Sequence, residues 1–93
     1  MAEINVETVE RDHEYTFRVT VKEGRSETHH RVTLGKADYQ HLAGDEATPE
    51  ELVRESFRFL LERESKESIL RSFNLTVIAR YFPEYQQEIK TRL

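Results

Sequence analysis

The sequence predicts a single α+β domain over residues 1–93, in which a small antiparallel sheet of two to three N-terminal strands packs against three to four C-terminal helices. Three observations carry this reading. Apolar residues recur at alternate positions up to Gly35, they recur at helical spacing beyond it, and a full helix-start signature stands at Thr48-Pro49-Glu50-Glu51. The expected division is a β meander over 1–35 and a helical part over 36–93, folded around one core.

The central strand is the plainest element. Tyr15, Phe17, Val19 and Val21 alternate with Thr16, Arg18, Thr20 and Lys22, the period of a strand with one dry face and one wet face. In the turn after it, Gly24 can supply the positive φ a hairpin needs, and on the return strand His30, Val32 and Leu34 alternate with His29, Arg31 and Thr33. Upstream, Ile4 and Val6 alternate with Glu3, Asn5 and Glu7, and Arg11-Asp12-His13 reads as a turn, which makes the N-terminus a third strand. Charge suggests the registers, since opposite charges across an antiparallel pair stabilise it by some tenths of a kcal/mol and like charges oppose it. Ile4 opposite Val21 and Val6 opposite Val19 set Glu3 against Lys22 and Glu7 against Arg18. In the second hairpin, Phe17 opposite Leu34 sets Arg18 against Thr33, whereas the tighter register would set Arg18 against Arg31 but Lys22 against Glu27; the first arrangement is expected.

Helical spacing begins with Lys36 to Leu42, where Tyr39 and Leu42 share a face and Gly44 is suited to stop the helix. Thr48 caps the next helix, with proline at its first position and glutamate three residues after the cap. Its body carries Val53, Phe57, Leu60 and Leu61 on one stripe, with Leu52 and Phe59 beside it. Ser65 can cap a third helix that takes in Ile69, Leu70 and Phe73. Asn74 serves either as its left-handed stop or as the cap for Leu75 to Phe82. Pro83 forces a boundary, and a last helix runs to about Arg92 with Tyr85, Ile89 and Leu93 on one face, Glu84 at its positive end, and Lys90 and Arg92 at its negative end.

Composition excludes more function classes than it suggests. No apolar run approaches the roughly 20 residues a membrane helix needs. The acidic, alternating N-terminus lacks the basic start and apolar stretch of a secretory signal, so a cytoplasmic protein is expected. With no cysteine there is no disulfide, thiolate zinc site or cysteine nucleophile. Against 14 basic side chains stand 18 acidic ones, and the net charge of -4 repels a polyphosphate at long range.

No constellation in the sequence reads as catalytic. His29 and His30 are adjacent on a strand and leave by opposite faces, so they cannot chelate one ion together, and His13 and His41 stand apart. No serine sits in a nucleophile elbow, and three glycines leave no phosphate-cradling loop. The expectation is a non-enzymatic protein with no metal and no cofactor.

Two binding surfaces remain. Leu52, Phe59 and Leu61 on the capped helix, with Tyr85, Ile89 and Leu93 on the last one, form an extensive apolar surface for so small a domain: either the capped helix is central and covered on two sides within the monomer, or one flank pairs with a second copy or another protein. They are the candidate interface for a protein partner or a second copy, and this is the favoured function. The competing class is a nucleic-acid-binding regulator in which Arg18, Lys22, Arg25, His29 and Arg31 form a basic face on the hairpin. Small regulators of the antitoxin kind also place a short sheet before helices, a likeness of layout that carries no site. A helix-turn-helix around Asn74 would offer Arg80 alone as a cation on its recognition helix, too few for reading a duplex.

Overall fold

The computed structural model describes residues 2–93. Strands β1 (Glu3–Glu10), β2 (Glu14–Glu23) and β3 (Ser26–Gly35) form an antiparallel meander. Helix α1 (Lys36–Leu42) follows, then α2 (Pro49–Leu61), a 3₁₀ turn at Lys66–Ser68, strand β4 (Ser72–Asn74), a second 3₁₀ turn at Leu75–Val77, α3 (Ile78–Tyr81) and α4 (Tyr85–Arg92). The sheet order is β1-β2-β3-β4, with β4 parallel to β3. The architecture is α+β, but the sheet has four strands rather than two or three. The helices do not all follow it either, because β4 falls in the chain between α2 and α3.

The β1–β2 register is the expected one: Ile4 faces Val21, Val6 faces Val19, Glu3 faces Lys22 and Glu7 faces Arg18. The second hairpin differs. Phe17 faces Val32 and Arg18 faces Arg31, not Leu34 and Thr33. Turn geometry decides here: Glu23 pairs with Ser26 across a two-residue loop whose first residue, Gly24, has φ 61°, whereas the other register would bring Gly24 opposite Glu27 and leave Arg25 and Ser26, neither of them a glycine, to make the turn. The few tenths of a kcal/mol at stake in a like-charge pair are too small to shift that turn.

Helix α2 starts as its sequence dictates. Thr48 Oγ1 accepts from the Glu51 amide at 3.1 Å and donates to the Glu51 carboxylate at 3.1 Å. The helix lies on the inner face of the sheet, against β1, and α4 packs on its far side. Phe17, Val19, Val21, Val32, Leu34, Leu52, Val53, Phe57 and Phe59 are all excluded from solvent in this arrangement. Ser56 Oγ spends its hydrogen on the Leu52 carbonyl at 2.7 Å, so Tyr85 donates its hydroxyl to Ser56 Oγ, also at 2.7 Å. Burial pushes the Tyr85 phenol up to about 12. Arg63 closes this layer with its guanidinium 3.6 Å from the Phe59 ring centroid and 2.9 Å from Glu88.

The helix expected after Ser65 does not form. The chain makes one 3₁₀ turn, extends at Ile69 (ψ 134°) and joins the sheet, where the Arg31 amide donates to the Arg71 carbonyl at 2.7 Å. Three apolar residues in this segment give only a weak helical preference, and the sheet edge offers its backbone partners instead. Asn74 is then the cap of the following turn: Oδ1 accepts from the Thr76 amide at 3.0 Å and Nδ2 donates to Thr33 Oγ1 at 3.2 Å. With β4 in the way, no helix-turn-helix exists around Asn74.

Candidate functional site

The residues expected to form an apolar interface are largely committed to the chain's own core. Leu52, Phe59, Tyr85 and Ile89 are fully buried within a single copy, and Leu61 and Leu93 are half-buried against the same cluster. The physical reason is layering: α2 is central, covered by the sheet on one side and by α4 on the other, so both of its apolar flanks are used.

The expected basic face is an open sheet face. Arg18, Lys22, His29 and Arg31 project from it, exposed, and Arg25 stands at the hairpin tip. The same face carries Glu3, Glu7, Glu14 and Glu27. Lys22 lies between Glu3 and Glu27, Arg18 between Glu7 and Arg31, and His29 Nε2 is 2.9 Å from Glu27. The face is therefore mixed in sign, and only the adjacent Arg18 and Arg31 give it a local positive spot.

His30 is the one buried histidine among the described residues. A carbonyl only accepts, so Nδ1 carries the proton given to the Leu70 carbonyl at 2.8 Å, and Nε2 accepts from Thr28 Oγ1 at 2.8 Å. Burial lowers its pKa below the ordinary value of 6.5, with Arg71 and His29 acting in the same direction. Both ring nitrogens are occupied, and the ring packs edge-on against Phe57 at 5.3 Å. It fastens the Leu70 segment to β3 and has no nitrogen free for chemistry. Among the described residues no group of three or more His, Asp or Glu side chains could hold a metal ion.

What the fold does open is a groove between the end of α2, the segment leading into β4, and α3. It encloses about 180 Å³ and is lined by Leu60, Ile69, Phe73, Val77, Ile78 and Phe82, with Leu70 and Tyr81 at its rim. Those two rim residues are 48% and 67% exposed; the remaining large hydrophobic so exposed among the described residues is Val9, at 51% on β1. Ser68 and Glu64 complete the lining, and Glu64 is its single charged member. Burial raises the Glu64 carboxyl above its ordinary value, and no neighbouring cation opposes that rise.

Sequence reading did not single out this groove. Tyr81 belongs to a four-residue helix and Leu70 to the irregular connection before β4, neither long enough to show an amphipathic stripe. The signal available was the density of apolar residues from Ile69 to Phe82 beside a polar stretch ending at Glu67. No protein-family model matches the chain, and no curated protein or solved structure matches it, so its own residues carry the functional reading.

Proposed function

We propose that this chain is a non-enzymatic protein-binding module and that its docking site is the groove between α2, the β4 segment and α3. One observation carries the reading: two of the three exposed large hydrophobics among the described residues flank the same apolar groove. The volume supports a protein partner over a small-molecule ligand. Drug-sized ligands occupy pockets of roughly 300 Å³ or more. A groove of about 180 Å³ suits the anchor side chain of a partner segment. Burying one such anchor is worth about 1.5–3 kcal/mol.

The partner is another protein rather than a second copy. A second copy offers Val9 as its exposed apolar residue outside the groove, and that side chain is held in a paired strand rather than on a segment free to enter the groove. Nucleic-acid binding through Arg18 and Arg31 is the competing reading, and the four glutamates on that face weigh against it.

Affinity capture from the native host, with nuclease treatment, tests the proposal by comparing the wild type with the double variant Leu70→Ser, Tyr81→Ser. The expected result is a protein retained by the wild type, indifferent to nuclease and lost from the variant. A catch that survives the double substitution, or vanishes with nuclease, overturns the reading. So does a catch consisting of the chain itself.

A further inference from the structure

Resting on the reading of the groove as a docking site, we infer that its partner is a short segment in which an apolar anchor residue is accompanied by a lysine or arginine that pairs with Glu64. The groove wall is apolar apart from Ser68 and Glu64, so a wholly apolar segment would leave a carboxylate enclosed without a counter-charge. Glu64 stands out from the acids near it. Glu62 pairs with Arg92 at 2.6 Å, Glu84 lies 3.4 Å from Arg63, Glu88 binds Arg63 at 2.9 Å and Arg92 at 3.0 Å, and Glu67 binds Lys66 at 2.8 Å. The cations at this end of α2 are thus engaged by other acids, while Glu64 has no ion pair among the described residues and sits half-buried in the groove. A charge in that position is costly while the groove is empty and favourable once a cation enters, because docking excludes water and strengthens the pair.

The surroundings also restrict where the partner's cation can lie. Arg71 follows the rim residue Leu70 and Arg80 precedes the rim residue Tyr81, and both are exposed. A cation placed beside the anchor on the α2 side meets Glu64. The partner is recognised by shape for its anchor and by charge for its orientation.

A displayed library of random 12-residue peptides, selected in parallel on the wild type, on Glu64→Gln and on the double variant Leu70→Ser, Tyr81→Ser, tests this. On the wild type the enriched peptides are expected to share one large apolar residue with a lysine or arginine within a few positions. On Glu64→Gln the apolar residue persists and the basic preference disappears; a wild-type peptide resynthesised for titration binds Glu64→Gln about tenfold more weakly. Circular dichroism checks that both variants keep the wild-type fold, and Glu64→Asp, which keeps the charge, should retain the basic preference. Peptides with an apolar anchor but no basic preference, or with one that Glu64→Gln leaves intact, overturn the inference about Glu64 and leave the docking site standing. Failure of the wild type to enrich anything over the double variant overturns the docking site itself.

Discussion

Residues 2–61 and residues 62–82 differ in how completely they cover their apolar side chains. In the first region long strands and a 13-residue helix face one another, and Phe17, Val19, Val21, Val32, Leu34, Leu52, Val53 and Phe57 are closed off from water. In the second the elements run three or four residues each, and they leave Leu70 and Tyr81 exposed around a groove. Long periodic elements can lay a whole stripe against a partner, while short ones change direction before a stripe is covered. A small domain can therefore be well packed and still keep an apolar opening at the edge of its sheet.

Four predictions follow this contrast, from the strongest perturbation to the weakest. Phe57→Ala removes a ring that packs against His30 at 5.3 Å and Phe73 at 6.1 Å, and should cost about 3–5 kcal/mol in a denaturant titration. Because folded domains of this kind are stable by only about 5–15 kcal/mol, much of the population should unfold well below the wild-type midpoint. A loss under about 1 kcal/mol would show that the first region is not the closed core described here. Thr48→Ala removes one cap of α2 and should cost about 1 kcal/mol by the same titration, with Thr48→Ser restoring most of it.

The third concerns His30, which joins the two regions. Its folded pKa lies below the ordinary 6.5, so between those two values the unfolded chain binds more protons than the folded one. The histidine's contribution is intact above pH 6.5 and declines as the pH falls from there toward the folded pKa. Melting temperature measured from pH 7.5 to 5.5, in steps, should fall more steeply for the wild type than for His30→Gln; parallel curves would refute it. The smallest effect on stability is expected from Leu70→Ser with Tyr81→Ser, within about 0.5 kcal/mol per site, since Tyr81 is largely and Leu70 about half exposed to water. A large loss would mean that the rim belongs to the core after all.

The same contrast decides what could be read from the sequence. Local rules governed residues 3–61: strict alternation in β2, the Thr48 cap with Pro49, and Gly44, whose φ of 55° ends α1. The first hairpin's register followed from matching apolar faces and opposite charges. The second did not, because the Gly24 turn outweighed the Arg18–Arg31 repulsion. Beyond Glu62 the governing contacts are distant. His30 holds the Leu70 carbonyl 40 residues away, and Asn74 reaches Thr33 across 41. No window of sequence contains both ends of such a contact, so a three-residue parallel strand looked like part of a helix. The apolar surplus on α2 and α4 was legible, but its destination was not, since coverage from both sides is a property of the assembled layers.

Site-specific photocrosslinking in the native host tests the central claim most directly, with a benzophenone amino acid in place of Tyr81 at the groove rim or in place of Arg18 on the open sheet face. The expected result is a discrete crosslinked protein from position 81 that disappears when Leu70→Ser is added, with nothing comparable from position 18. A partner captured from position 18 and not from position 81 would contradict the assignment of the groove as the docking site.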